Sequence, residues 1–497
     1  MCGIAGTLLD TANDQVNFMV EKLSHRGPDG YGIQNLERAT LGHTRLAILD
    51  IEGGRQPMQH GDAWIAFNGE IYNYRDLQRK YLPDQRMKGH SDTEVLLHLF
   101  EKFGPQFVSM LDGMFAFVIY QDGEFLMARD PYGIKPLYYG RSSDEKRLLF
   151  ASEIKAIVDQ AASISEFPAG HWFHSRLGWQ HYYQMKESLL PFEGSEAEAQ
   201  TLIKSTLREA VHKRLLADVP VGVSLSGGLD SSITSLLACE GTDQLHSFAV
   251  GVEGSEDLAA ARKMAGVLHT QHHELIYNAE DMVQALPNVL YYLETFDPAL
   301  VRSAIPNYFL AKLASQYVKV FLTGEGADEI YAGYEYLGGY DSPESLQQEM
   351  ITITEALHNT NLQRADRMSM AFGLEARVPF LDVKSVALAL SFPAEWKLHR
   401  TRVPKALLRQ AFASDLPAEI VNRPKQKFSQ GAGSSDLIAQ RAETEISDAE
   451  FQRESLRLKE AWDYALPNKE ALYYYKVLCT FYDEKWIFPT MGKSRSL

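Results

Sequence analysis

Val219-Pro220-Val221-Gly222-Val223-Ser224-Leu225 runs straight into Ser226-Gly227-Gly228-Leu229-Asp230-Ser231-Ser232, and a helical pattern begins at Ser231. An apolar, valine-rich run closed by small turn residues reads as a strand, a tight turn and a helix. The pattern recurs downstream. A second strand, Leu245–Val252, precedes a helix at Asp257–Leu268, and a third, Val318–Leu322, ends at Thr323-Gly324-Glu325-Gly326-Ala327-Asp328-Glu329. A helix over Glu196–Leu216 leads into the series, and beyond about Ser345 the chain reads as mostly helical. Strand–turn–helix repetition predicts parallel strands with crossover helices: an α/β doubly wound sheet with a helical C-terminal part.

Loops at the carboxyl ends of neighbouring parallel strands converge on one ligand. The Ser/Gly turn offers successive N–H groups at a helix N-terminus, an anion nest reinforced by the helix dipole. It lacks the Gly-Lys-Ser/Thr ending of a Walker A loop. The second turn supplies carboxylates. A donor-rich loop beside an acidic one suits ATP with Mg²⁺, for which Asp230 and Asp328 are natural hard-oxygen ligands. Solvated carboxylates at helix starts are the plainer alternative.

The chain before this series has another texture. Short apolar runs at Thr40–Leu49, Trp64–Phe67, Gly113–Tyr120, Glu124–Ala128 and Leu148–Ala151 are broken by Gly, Pro and Asp clusters, which predicts strands with tight turns. Asp92–Phe103 reads as a helix, with Ser91 as N-cap and Glu94 completing a capping box. A Pro/Gly/Glu/Ser stretch at Glu187–Ser195 reads as a linker.

The first residues are Met1-Cys2-Gly3-Ile4. Removal of Met before a small residue is expected to leave Cys2 at the N-terminus. An α-amine has a pKa of about 7.7–8.0 and a thiol about 8.5, so the amine can serve as general base near neutrality. One residue then carries both nucleophile and base. A small apolar residue opening a strand is the plainer alternative.

Composition sets the outer limits. The 497 residues hold 49 Lys+Arg against 65 Asp+Glu, a net charge of −16, with 45% hydrophobic and 23% charged residues. These values exclude wholesale disorder, and an acidic chain is a poor nucleic-acid binder. Three cysteines cannot build a disulfide scaffold and suit a reducing, cytoplasmic setting. No apolar run reaches the roughly 18 residues of a membrane span, and no secretory leader is expected. His269, His272 and His273 suggest a metal centre, but residues along one strand alternate faces and would not converge. Cys239 and Cys479 are expected to be buried and inert.

Residues 2–187 resemble class II glutamine amidotransferase domains, and the likeness rests on several quoted motifs. They are Cys2, His25-Arg26-Gly27-Pro28-Asp29-Gly30, Arg45-Leu46-Ala47-Ile48-Leu49, the turn Phe67-Asn68-Gly69-Glu70-Ile71-Tyr72-Asn73, Ser91-Asp92-Thr93-Glu94 and Gly133-Ile134-Lys135-Pro136-Leu137-Tyr138-Tyr139. The resemblance implies an α+β N-terminal-nucleophile hydrolase sandwich in which Cys2 attacks the side-chain amide of glutamine. It implies that Arg45 pairs with the glutamine α-carboxylate and Asp92 with its α-ammonium. Leu46, Ala47, Ile48, Leu49 and Glu70 would complete that pocket. Asn68, through its side-chain amide, and Gly69, through its backbone N–H, would form the oxyanion hole. Losing one such donor costs about 10²–10³ in rate. Taken singly, each residue has a plain reading: Asn68-Gly69 as a hairpin turn, Arg45 as a surface charge, Asp92 as a helix-start acid, His25 as a loop-structuring residue.

The Ser226–Ser232 turn resembles the pyrophosphate loop of the ATP pyrophosphatase superfamily. With Ala376-Arg377-Val378-Pro379-Phe380-Leu381-Asp382 and Arg423-Pro424-Lys425-Gln426-Lys427-Phe428-Ser429, residues 196–497 are similar to the synthetase domain of the glutamine-hydrolysing asparagine synthetase family. The resemblance implies that Leu225, Ser226, Gly227, Gly228, Asp230, Ser231, Val250, Thr323 and Gly324 hold ATP. Glu325 would help form an acyl-adenylate and deprotonate ammonia, while Lys425 would stabilise phosphate charge. Aspartate is the implied acceptor. Pro424 and Gln430 differ from the commonest form of the lysine segment, and Gln363–Arg367 sits in a stretch that varies among relatives with different acceptors, so amidation of another carboxylate stays open as an alternative. A binding protein with degenerate sites is a further alternative, and a homodimer is left open.

Overall fold

The computed structural model describes residues 2–398, 403–424 and 437–492. Its first part is two stacked antiparallel sheets. One has the order β10 (Ser165–Glu166), β8 (Tyr138–Arg141), β9 (Leu148–Ala151), β1 (Gly3–Leu8), β3 (Ala39–Arg45), β2 (Gly30–Asn35). The other runs β12 (Gly178–His181), β11 (His171–His174), β7 (Glu124–Arg129), β6 (Gly113–Gln121), β5 (Ala63–Ile71), β4 (Met58–His60).

Residue alternation along β6 explains the layering. Ala116, Val118 and Tyr120 point between the sheets, meeting Ile4, Leu8 and Leu41 of the first sheet. Phe115, Phe117 and Ile119 point the other way, into a core shared with the Asp92–Phe103 helix. With both faces covered, the strand reads as a continuous apolar run rather than an alternating one. The Asn13–Lys22 helix covers the outer face of the first sheet through Val16, Met19 and Val20. Helix, sheet, sheet and helix stack as four layers, the α+β sandwich expected.

The second part is a parallel five-stranded sheet ordered β15 (Gln271–Ile276), β14 (His246–Gly251), β13 (Val221–Ser224), β16 (Val320–Leu322), β17 (Glu375–Arg377). The chain leaves β13 toward β14 and β15, then returns to the other side for β16 and β17. That reversal puts the loops after β13 and β16 side by side, the switch point where doubly wound sheets bind ligands. Helices Leu229–Cys239 and Glu256–Leu268 are crossovers, and helices dominate after Pro343, as predicted.

Several boundaries differ from the sequence reading. The strand read as Val219–Leu225 contracts to Val221–Ser224, because Pro220 has no N–H to give a ladder. The helix read to Leu216 ends at Lys213, where the buried Arg214 turns in to Asp382, 2.9 Å away. Its start is firm: Ser195 and Glu198 form a capping box. At Ser91 the expected capping box is not formed, since Ser91 accepts from Thr93 N and the Glu94 carboxylate instead takes Lys88 N and Gly89 N. Asn68 and Gly69 are not in a turn. They lie inside β5, opposite Ala116 and Phe115.

The two parts share a core. Leu46, Ile48, Tyr72 and Met114 pack in the same buried cluster as Leu207, Val223, Leu225 and Leu229.

Candidate active sites

Cys2 sits at the head of β1, buried to 9% exposure. Its N–H donates to Asn68 Oδ1 at 3.1 Å, its carbonyl accepts from Arg26 Nε at 3.1 Å, and Sγ lies 4.0 Å from Leu46 O. Gly3 lets the chain turn in here, because a Cβ would stand 2.6 Å from Thr44 Oγ1. Burial pushes the Cys2 thiol up. With Oδ1 occupied, the amide of Asn68 leaves Nδ2 fully buried with no hydrogen-bond partner among the described residues. Leaving a buried donor unmet costs about 1–3 kcal/mol. Gly69 is required by its neighbour strand: a Cβ would stand 2.2 Å from Met114 O.

The remaining residues predicted for the glutamine site have other partners. Arg45 ends β3, and its guanidinium donates to the carbonyls of Asp50 (2.7 Å) and Ile51 (2.8 Å). Leu46, Ala47, Ile48 and Leu49, read as a continuation of the strand, form a buried loop instead. Asp92 opens its helix and accepts from Ile71 N at 3.0 Å; burial pushes its carboxyl up to about 6. Glu70, also buried, is pushed well up by burial and contacts Arg377 Nη2 at 3.2 Å.

At the second site, the Ser226–Ser231 turn joins β13 to its helix. Gly227 has φ +68, and a Cβ there would stand 2.4 Å from Ala260, so both conformation and space demand glycine. Ser226 and Ser231 hydroxyls meet at 3.2 Å, and Arg423 Nη1 donates to Ser226 O. Leu225, just past the end of β13, and Val250 on the adjacent β14 are buried, and Leu225 N donates to Phe248 O. Gly324 closes the gap between loops: its Cβ would stand 2.8 Å from Asp230 Cβ. Thr323 Oγ1 accepts from Glu325 N at 3.4 Å, and Glu325 pairs with Arg364.

Asp230 and Asp328 do converge. Lys405 Nζ lies between them, 2.5 Å from one and 2.6 Å from the other. Two carboxylates already closed around one cation form a donor set that fits a hard divalent ion. Sequence reasoning missed Lys405, a residue at φ +58 with no motif around it. It also missed Glu329, which accepts from Tyr334 OH (2.6 Å) and Asn361 Nδ2 (3.0 Å) and which burial pushes up to about 7. Lys425 lies outside the described residues.

The histidine cluster behaves as a strand should. His273 Nε2 meets His246, while His272 meets Ser247 and Glu274, so the two face apart. Cys239 and Cys479 are half-buried rather than buried, each near a helix end, with burial pushing both thiols up.

Comparison with known proteins follows this division. A glutamine amidotransferase domain family model matches residues 1–187, and an asparagine synthase model matches residues 202–342 and 339–482. An asparagine synthetase [glutamine-hydrolyzing] 3 of Arabidopsis thaliana is 38% identical, covering 97% of this chain and 88% of its own. A probable asparagine synthetase [glutamine-hydrolyzing] of Schizosaccharomyces pombe is 39% identical over 98% of this chain and 94% of its own. A probable counterpart from Dictyostelium discoideum is 37% identical over 100% and 97%. With relatives this similar along nearly its whole length, the chain belongs to the glutamine-hydrolysing asparagine synthetase family.

Proposed function

We propose that this chain converts aspartate, glutamine and ATP into asparagine, glutamate, AMP and pyrophosphate, using residues 2–187 as a glutaminase and 196–497 as a synthetase. The observation that carries the first half is Asn68. Its Oδ1 holds the Cys2 nitrogen and its buried Nδ2 is unmet. Once Met1 is removed, that nitrogen is an amine able to take the thiol proton. Cys2 Sγ adds to the glutamine amide carbon, and Asn68 Nδ2 with Gly69 N–H receives the developing oxyanion. Ammonia leaves, and water then hydrolyses the thioester to glutamate. Arg45 and Asp92 hold the two charged ends of the amino acid, which requires Arg45 to release the Asp50 and Ile51 carbonyls.

A carboxylate is a poor electrophile and must be activated. The aspartate side-chain carboxylate attacks the α-phosphorus of ATP, giving acyl-AMP and pyrophosphate. The Ser226–Ser231 turn cradles the phosphates. Asp230 and Asp328 would hold Mg²⁺, which supplies charge neutralisation to the departing pyrophosphate. Lys405 would then swing to the phosphate oxygens, and Lys425 would join it. Ammonia attacks the acyl carbon, Glu325 takes its proton, and AMP leaves.

Ammonia must travel unprotonated. Leu46, beside Cys2 Sγ, and Leu225, beside the phosphate turn, belong to one continuous buried cluster, so a passage that opened between the sites would be walled by apolar side chains. The three unbridged cysteines support a reducing, cytoplasmic setting. The test is incubation with glutamine, ATP·Mg²⁺ and aspartate. Asparagine and AMP in equal amounts are expected; AMP formation driven only by another carboxylate would replace aspartate as the acceptor.

A further inference from the structure

Arg26 has no exposed surface, and its guanidinium has three separate tasks. Nε donates to Cys2 O at 3.1 Å, Nη1 reaches Glu153 at 2.5 Å, and Nη1 and Nη2 grip Asp366 at 2.8 and 3.2 Å. Asp366 lies 340 residues away in sequence, on the Asn361–Met370 helix beside the parallel sheet. Leu362 to Met370 on that helix are all buried. Two residues before Asp366, Arg364 pairs with Glu325 and donates to Ser303 Oγ at 2.9 Å. One residue after it, Arg367 reaches Glu294 at 3.1 Å. One short helix is therefore fastened to the Glu325 loop by one residue and to the backbone of Cys2, through Arg26, by another.

The catalytic cysteine is thus held at both ends of its main chain. Asn68 fixes the nitrogen and Arg26 fixes the carbonyl, which together set where Sγ swings. Without a fork-shaped anion opposite it, the planar guanidinium could keep its contact with Glu153 and rotate Nε away from Cys2.

Building on the proposed glutaminase reaction, we propose that Asp366 is a positioning residue for Cys2. The glutaminase site is then completed by a carboxylate from the synthetase half, carried on the helix that also orients Glu325. Removing a supporting partner of this kind characteristically costs about 10–100-fold in activity while leaving substrate contacts in place.

The test is Asp366→Asn in the full chain, with glutamine hydrolysis and ammonia-dependent asparagine synthesis measured on the same sample. Their ratio does not depend on the folded fraction. The expected result is a fall in glutaminase kcat of at least about tenfold, with the KM for glutamine and ammonia-dependent synthesis each within about twofold. Asp366→Glu should recover part of the loss. Arg26→Lys, which keeps the charge but loses the planar fork, should show the same selective fall. Parallel loss of both activities, or an unchanged ratio in both variants, would overturn the proposal. A wild-type chain with no glutaminase activity would instead overturn the reaction on which it rests.

Discussion

The two candidate sites solve the same problem, holding polar groups ready in a protein interior, in opposite ways. At Cys2 the residues proposed to act sit on strands of a sandwich, and among them Asn68 offers a buried amide donor with no hydrogen-bond partner among the described residues. At the parallel sheet the machinery sits on loops at a switch point, and its charged groups are paired with each other: Lys405 with Asp230 and Asp328, Glu325 with Arg364. In the proposed reaction the first site has its oxyanion donors fixed on a strand in advance, and its one exchange is Arg45 leaving the Asp50 and Ile51 carbonyls for substrate. The second must exchange internal ion pairs for substrate contacts before it can work. Rigid strands suit an oxyanion hole, where donor placement decides the rate, whereas loops suit a nucleotide whose charge must be clamped and released.

The largest expected effect separates the sites outright. Cys2→Ala should cut glutamine-dependent synthesis by at least about 10⁴-fold while ammonia-dependent synthesis continues, measured as asparagine formed from each donor. Loss of both would mean the sites are not separable. Glu325→Gln should produce the mirror image, a fall of about 10²–10⁴ in synthesis from either donor with glutamine hydrolysis intact. Asn68→Ala should lower glutaminase kcat by about 10²–10³ with little change in KM, the mark of a group used in the transition state. A rise in KM alone would make Asn68 a ground-state contact.

A smaller effect follows from Asp92. Its carboxyl sits at about 6, above the ordinary carboxylate range, because it is buried. An α-ammonium needs it ionised, so the KM for glutamine should be flat above about pH 7 and climb roughly tenfold per unit below about pH 6. The KM for aspartate in ammonia-dependent synthesis should not share that rise. The stability sign is opposite. A carboxyl raised in the fold binds its proton more tightly than in the unfolded chain, so its burial penalty is present at neutral pH and relieved as pH falls through about 6. The smallest effect belongs to the junction. Ser195→Ala removes the capping box ahead of the Glu196–Lys213 helix and should cost about 1 kcal/mol, seen as a lower Tm with both turnover numbers unchanged.

The comparison also explains what could be read from residues alone. Local order was legible: β9 and the Asp92–Phe103 helix fall at the predicted residues, and both glycine-rich turns sit at strand ends. Asn68-Gly69 misled because the pair is a strong hairpin signal, while the actual demand for glycine comes from Met114 O on the next strand. Ser91 and Glu94 misled because a carboxylate with two free loop N–H groups nearby, Lys88 and Gly89, is better satisfied there than at the cap. Lys405 and the Arg26–Asp366 pair were invisible for a different reason. Their partners lie 175 and 340 residues away, and no periodicity or spacing encodes such contacts.

The most direct test of two coupled sites is the fate of the glutamine nitrogen. The intact chain would receive glutamine isotopically labelled at its amide, with aspartate, ATP·Mg²⁺ and an excess of unlabelled ammonium. Asparagine carrying the label far above its share of the total ammonia is the predicted result. Label diluted to the bulk ratio would contradict direct passage of ammonia from Cys2 to the synthetase site.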